Sequence, residues 1–214
     1  MIKKYLKVLI ITSIVILLPV LAGVILWDQL PEQMPMHWNA AGEVDGWSSK
    51  PFAVFGMPVI LVAAQWLCLL STLADPKRKN HTEKMLHLIL WFIPVLSVVM
   101  HTIVYLTVLG YGVKIEIVLP ICLGLLFAIV GNYLPKCKQS YTIGIKIPWT
   151  LDNEENWNKT HRLAGWLWLF GGIAIMFTAF VGGFPAFFVI TLVMILVPVI
   201  YSYLLHLRQE KAGD

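Results

Sequence analysis

Tyr5-Leu-Lys-Val-Leu-Ile-Ile-Thr-Ser-Ile-Val-Ile-Leu-Leu-Pro-Val-Leu-Ala-Gly-Val-Ile-Leu-Trp27 decides the fold. Beyond Lys7 this run carries no charge. It is as long as the roughly 20 apolar residues that a helix needs to cross the hydrocarbon core of a bilayer. Lys3, Lys4 and Lys7 would also suit a secretory signal. The apolar stretch is too long for one, however, and no small-x-small cleavage site follows it. Five similar runs follow, at about 52–74, 85–109, 115–134, 163–181 and 186–206. They are continuously apolar rather than alternating. Helices, not the strands of a closed barrel, are therefore expected to satisfy the backbone in lipid. The expected fold is all-α: a single polytopic membrane domain over 1–214, with six transmembrane helices.

Composition agrees. Of the 214 residues, 58% are hydrophobic and 13% charged, with mean hydropathy +0.77. Soluble domains carry about 25% charged residues. Too few polar groups remain to cover a water-facing surface, which excludes an ordinary soluble enzyme, a disordered chain and a nucleic-acid-binding module. Cys68, Cys122 and Cys137 show neither a disulfide framework nor metal-ligand spacing.

The basic residues set an expected orientation. The N-terminus, the 75–84 and 135–162 segments and the C-terminus together hold 14 of the 16 Lys and Arg residues. The segments 28–51, 110–114 and 182–185 hold only Lys50 and Lys114. Basic residues concentrate on the cytoplasmic side, so both termini are expected there. The loop 28–51 then faces outward and the loop 135–162 inward.

Within the spans, Gly124, Ala128 and Gly131 share one helix face. Gly165, Gly172 and Ala179 recur every seven residues on another. Small residues permit close helix contact in lipid. Five runs contain proline: Pro19, Pro58, Pro94, Pro120 and Pro198. No carboxylate, Lys or Arg lies in the middle of a span, which weighs against proton-coupled transport. His87, Pro94, Ser97 and His101 line one face, where a neutral histidine bonded to a neighbouring helix is the simplest expectation. Trp27, Trp66, Trp91, Trp166 and Trp168 read as interfacial anchors.

Two loops carry the specific signal. The outer one reads Leu30-Pro-Glu-Gln-Met-Pro-Met-His-Trp-Asn-Ala-Ala-Gly-Glu-Val-Asp-Gly-Trp-Ser-Ser-Lys50. Pro31 and Pro35 favour extended backbone. Asn39 to Gly42 and Asp45-Gly46 are turn signals. An ordered, aromatic cap suited to an apolar peptide or lipid is expected. His37 beside Asp45 or Glu43 is too sparse a donor set for a metal site. The inner loop, Gly131-Asn-Tyr-Leu-Pro-Lys-Cys-Lys-Gln-Ser-Tyr-Thr-Ile-Gly-Ile-Lys-Ile-Pro-Trp-Thr-Leu151, is too apolar for a solvated linker. Asp152 and Glu155 suggest a capping box that starts a helix running into the fifth span. On that helix Trp157, His161, Ala164 and Trp168 share one face, directed at the membrane or another helix. Lys159 and Arg162 are placed to meet lipid phosphates or Glu155. Thr160, His161 and Asp152 are residue types of a hydrolase triad. Adjacent helical positions diverge by roughly 100°, so no triad is expected. Neither a catalytic motif nor a cofactor signature is present.

At these loops the chain resembles a known family. The outer Leu-Pro…Pro-x-His-Trp-Asn…Asp-Gly segment is similar to an uncharacterised N-terminal membrane domain. The inner segment, with Trp157-x-Lys-Thr-His-Arg162, resembles the SdpI family of bacterial immunity proteins. Two positions depart from that pattern: Gln139-Ser140, where Pro-Asn is common, and Lys146-Ile147, where Arg-Thr is frequent. Lys146 keeps the charge but lacks the bidentate fork of Arg.

The resemblance implies a multi-pass protein of the bacterial plasma membrane that confers resistance to a secreted peptide toxin. It further implies a role in holding a transcriptional repressor at the membrane. Expected partners are membrane lipids, the toxin and the repressor, with no direct nucleic-acid contact and no metal or cofactor. The toxin-facing candidates are Pro35, Met36, His37, Trp38, Asn39, Gly42, Asp45, Gly46 and Trp47. The cytoplasmic candidates are Gly131, Asn132, Gly144, Lys146, Pro148, Trp149, Thr150, Trp157, Thr160, His161 and Arg162. The alternative is a small transporter or a membrane-embedded enzyme acting on lipid or peptide, suggested by His101 and the ordered inner loop.

Overall fold

The computed structural model describes residues 2–39, 41–181 and 184–213. Ala40 of the 28–51 loop, and Gly182 and Gly183 of the 182–185 segment, lie outside them. Among the described residues, six helices are long and apolar enough to cross a membrane. The first is α1 (Ile2–Ile25). A two-stranded hairpin follows, β1 (Gln33–Trp38) and β2 (Val44–Ser49). A π turn, Phe52–Gly56, leads into α2 (Met57–Ala74). Then come α3 (Glu83–Val108), α4 (Ile115–Tyr133), the short α5 (Pro148–Asp152), α6 (Glu154–Val181) and α7 (Phe184–Gly213). The spans match the apolar runs of the sequence except the fifth. There the helix starts at Glu154, well before the apolar run, as the continuous-helix expectation held.

The chain divides into two compact units. The first comprises residues 1–74 and 83–115. Here α1 packs against α2 and α3. Tyr5, Leu9, Leu69, Leu86 and Leu90 fill one end. Leu30, Met34, Ala53, Val54, Val104 and Tyr105 fill the other, beneath the hairpin. Polar clasps join the helices between these clusters. Gln65 Nε2 donates to Thr12 Oγ1 at 2.7 Å and to the Leu90 carbonyl at 2.8 Å. Ser97 Oγ donates to the Ile16 carbonyl and Tyr105 OH to the Pro19 carbonyl, both at 3.0 Å. Such bonds are worth about 0.6 kcal/mol each in lipid, but they fix which faces meet.

His101 Nδ1 bonds the Ser97 carbonyl of its own helix at 2.7 Å, not a neighbouring helix. His87 Nδ1 likewise bonds the Glu83 carbonyl. Each histidine is satisfied locally, so the stripe on α3 is not a hydrogen-bonded relay. Trp66 donates to Ser13 Oγ at 3.1 Å. It links α1 to α2.

The second unit comprises residues 75–82 and 116–214. The two small-residue stripes meet each other. A Cβ on Gly172 would stand 2.4 Å from the Gly124 carbonyl, and one on Gly131 would stand 2.4 Å from the Leu169 amide. Backbone therefore contacts backbone where α4 and α6 cross. Helices α6 and α7 pack along their length. They are tied by Asn156 Nδ2 to the Ser202 carbonyl (2.9 Å), Ser202 Oγ to Asn156 Oδ1 (2.5 Å) and Trp168 Nε1 to the Met194 carbonyl (3.0 Å). Trp168, like Trp66, joins two helices by its indole N–H.

Gly172 therefore has no room for a methyl group. Overpacking typically costs 1–3 kcal/mol. Gly172→Ala is expected to destabilise the detergent-purified protein by about 2 kcal/mol in thermal unfolding. Gly171→Ala should cost less, because its Cβ would clash with the flexible Met194 side chain rather than with backbone.

Candidate functional site

The hairpin of the 28–51 loop grows from its turn. Asn39 Oδ1 accepts from the Ala41 and Glu43 amides at 2.9 and 3.0 Å. Gly42 takes φ +78°. The strands pair Pro35 with Trp47 and His37 with Gly46, with irregular register on either side of His37. Gly46 is needed because a Cβ there would stand 2.8 Å from that of His37. Composition gave no sign of a strand pair. The extended backbone expected around Pro35 became β1 because the Asn39–Gly42 turn folds the chain back on itself.

The hairpin separates the candidates. Pro35 is buried, while Met36 and Trp38 pack against the core of the first unit. His37, Asp45 and Trp47 face outward, and Trp47 is 57% exposed. His37 Nδ1 lies 2.5 Å from Asp45 Oδ1. Among the described residues no group of three or more His, Cys, Asp or Glu side chains could hold a metal. Lys50 is buried. Its Nζ reaches Glu32 at 3.0 Å and the Trp27 carbonyl at 3.3 Å, over the Trp27 ring.

The second unit contains a denser polar centre, organised by Asp75. The chain leaves the apolar α2 run at Asp75-Pro76, a turn-initiating pair. Oδ1 accepts the Lys77 amide at 2.7 Å. Oδ2 accepts Ser140 Oγ (2.8 Å), the Tyr141 amide (2.9 Å), the Thr142 amide (3.0 Å) and Thr142 Oγ1 (2.8 Å). One carboxylate thereby pins three consecutive residues of the 137–147 loop. Burial would push its carboxyl up, but the donors from Thr142, Lys77, Ser140 and Tyr141 outweigh it and hold the group below the usual carboxylate range.

Neighbouring residues reinforce the loop. Asn80 Nδ2 donates to the Gln139 carbonyl at 2.7 Å, and Lys77 Nζ bonds the Gln139 side chain. Gln139 Nε2 in turn donates to the Thr150 and Leu151 carbonyls at 2.8 and 2.7 Å. His81 Nε2 meets Ser140 Oγ at 2.9 Å. Since that hydroxyl donates to Asp75, Nε2 carries the proton. Nδ1 is buried with no hydrogen-bond partner. Burial keeps this imidazole below its usual pKa, against the pull of Asp75.

Carboxylate, hydroxyl and imidazole are adjacent here, but their order does not suit nucleophilic catalysis. Ser140 donates to the carboxylate rather than to the histidine, and it is fully buried. The centre orders the loop.

The loop then closes on α6. Gly144 adopts φ +116°, where a Cβ would stand 2.5 Å from His161 Nε2 and 2.7 Å from the Trp157 ring. His161 Nδ1 donates to the Trp157 carbonyl (2.8 Å), and Nε2 accepts the Ile145 amide (2.9 Å). That pair of bonds requires a neutral ring. Trp157 stacks on His161 at 4.0 Å and donates to the Cys137 carbonyl at 2.7 Å. Burial pushes the Cys137 thiol up to about 12, which leaves it unreactive. Thr150 Oγ1 donates toward the Ile145 carbonyl at 2.8 Å, and Thr160 Oγ1 donates to Asn156 Oδ1 at 3.1 Å.

The structure thus gathers Gly144, Thr150, Trp157, Thr160 and His161 into one buried frame. Asn132, Lys146, Pro148 and Arg162 lie on the surface, and Gly131 belongs to the α4–α6 crossing. Trp149 packs between Tyr203 and His206 of α7. The cap of α6 is Asn153, whose Oδ1 accepts the Asn156 amide at 2.9 Å. The Asp152–Glu155 capping box is corrected accordingly: α5 extends through Asp152, so the break falls one residue later. Asp152 is exposed and takes no part in a triad.

Sequence reasoning passed over Asp75, Asn80 and His81, and noted Gln139-Ser140 only as departures from a pattern. The Asp-Pro pair at a span end was the available signal.

The long apolar helices define a multi-pass membrane protein, and parts of the chain are similar to known bacterial proteins. Residues 136–202 match the model of the SdpI/YfhL protein family, and residues 14–62 match a domain of unknown function, DUF1648. The chain is similar to the immunity protein SdpI of Bacillus subtilis (strain 168), at 27% identity over 202 residues, which cover 94% of this chain and 95% of that relative. No solved structure matches.

Asp75→Asn replaces an acceptor of five hydrogen bonds with a half-donor. It should cost about 3 kcal/mol near neutral pH in denaturant unfolding. The folded-state pKa is depressed, so this contribution is complete above the unfolded value of 3.8. It is lost as pH falls through the folded value. The gap between variant and native chain should therefore narrow only in strong acid. Gly144→Ala should destabilise the same loop, through both its positive φ and the clash with His161. A slower-migrating, protease-sensitive 137–150 segment is the expected readout.

Proposed function

We propose that this chain is a membrane immunity protein that protects its cell from a secreted antimicrobial peptide. The observation that carries this reading is the similarity to the Bacillus subtilis immunity protein, which runs through both loops and nearly the whole of each chain. The geometry supports a division of labour. The hairpin offers a small exposed surface, His37, Asp45 and Trp47, on a rigid base of Pro35, Met36 and Trp38. An aromatic ring beside a hydrogen-bonded His37–Asp45 pair suits an apolar peptide with polar groups. Both termini are cytoplasmic in this reading, following the basic residues, and the hairpin faces outward.

The inner frame is the proposed docking surface for a cytoplasmic repressor. Lys146, Pro148 and Arg162 are its exposed members, set on the buried scaffold of Gly144, Thr150, Trp157 and His161. A charged surface of this kind binds in a salt-dependent way.

Expression in a toxin-sensitive bacterium is expected to preserve membrane potential during challenge with the purified peptide toxin. Trp47→Ala should lower that protection while leaving the amount of folded protein in the membrane unchanged. Depolarisation equal to that of the sensitive parent would overturn the immunity reading. For the inner surface, Lys146→Ala should reduce membrane recruitment of the repressor after toxin exposure. Equal recruitment would remove this surface from signalling.

A further inference from the structure

A cleft of about 550 Å³ opens where α6 begins, lined by Pro135, Glu154, Glu155, Asn158, Lys159 and Arg162. Its charges are balanced in number but not all paired. Lys159 Nζ bonds Glu155 Oε1 at 2.6 Å, and Gln209 adds a long contact to the same carboxylate. That leaves Arg162 and Glu154, both exposed, as a cation and an anion with no ion-pair partner among the described residues of one cleft.

The surface beneath the cleft is apolar. Trp166 and Phe170 follow Arg162 at successive i+4 positions, which places them on one helix face. They are 57% and 59% exposed, and their rings stack at 5.6 Å with an interplanar angle of 11°. Phe177, 66% exposed, continues the apolar surface farther along α6. The buried side of the same helix carries Asn156, Trp157, Thr160, His161 and Ala164. The exposed face therefore changes from charged to aromatic within one turn, between Arg162 and Trp166. In a spanning helix that is where the headgroup layer meets the acyl chains.

We propose that this cleft binds the headgroup of a zwitterionic phospholipid with a primary amine, phosphatidylethanolamine. The order of groups along α6 matches the order of groups in the lipid. The acyl chains lie against Trp166 and Phe170. The phosphate, next outward, meets the Arg162 guanidinium, whose planar fork suits two phosphate oxygens. The ammonium, outermost, meets the Glu154 carboxylate, with the Asn158 amide oxygen as a second acceptor. Phosphatidylcholine lacks the N–H donors for Glu154. Phosphatidylglycerol offers no cation and would bring a net negative charge to the two glutamates. The site thus selects the amine headgroup over both.

The test uses the full chain, purified in detergent and titrated with phosphatidylethanolamine, phosphatidylcholine and phosphatidylglycerol of matched acyl chains. Bound lipid is counted by native mass spectrometry. Loss of a charge-assisted hydrogen bond is worth about tenfold in affinity. The ethanolamine lipid is expected to bind about tenfold more tightly than the choline lipid. Glu154→Gln should bring that ratio close to one. Arg162→Gln should weaken both lipids about tenfold while leaving their ratio in place. Both residues are exposed, so neither variant threatens the fold. Equal binding of the ethanolamine and choline lipids by the native chain would overturn the proposal. So would preference for the glycerol lipid, or an Arg162→Gln variant that binds the ethanolamine lipid normally. The measurement involves no toxin, so its outcome is separate from that of the immunity reading.

Discussion

The second unit depends on a single buried carboxylate. Asp75 accepts hydrogen bonds from the backbone or side chains of Lys77, Ser140, Tyr141 and Thr142. A charged group taken out of water is costly unless it is fully hydrogen-bonded. That cost is the source of specificity here. A loop conformation that released Ser140 or Thr142 would leave the carboxylate short of donors in a dry site. The loop of residues 137–147 contains no regular element, yet it has one arrangement that satisfies Asp75. From that arrangement follow the close approach of Gly144 to His161, the seating of Trp157 and the presentation of Lys146 on the surface.

The two units solve the membrane problem in different ways. In the first, side-chain clasps from Gln65, Ser97 and Tyr105 reach across between helices that carry bulky aliphatic residues. In the second, glycines bring the α4 and α6 backbones into direct contact. Lipid tails are as apolar as leucine, so hydrophobicity alone does not choose which helix faces meet. Interhelical hydrogen bonds and small-residue contacts make that choice: the first unit relies on the bonds, and the second adds glycine contacts at the α4–α6 crossing to the bonds between α6 and α7.

The six helices were legible in the sequence because uninterrupted apolar runs have one stable form in a bilayer. The Gly124–Gly131 and Gly165–Gly172 stripes were also legible, since small residues at helical spacing have few other uses. The polar centre was not, because it joins Asp75 to Ser140 and Thr142 across 65 to 67 positions of sequence. No periodicity reports such a pairing. The hairpin was half legible. Its turn residues and extended prolines were plain, but strand pairing depends on register, and register depends on the bulges around His37. Gln139 and Ser140 carry a further lesson. Read only as departures from a family pattern, they carried no role. In the structure they are the residues that tie the loop to Lys77, Asn80, Asp75 and α5.

Amide hydrogen exchange over residues 139–147 tests most directly whether Asp75 holds this surface in one conformation. Each 1.4 kcal/mol of lost local stability raises the population of the open state about tenfold. In the Asp75→Asn variant, the Tyr141, Thr142 and Ile145 amides should exchange about 100-fold faster than in the native chain, while the amides of α6 beyond Ala164 keep their protection. Unchanged exchange at those three amides would contradict the account, because the loop would then owe its order to something other than the buried carboxylate.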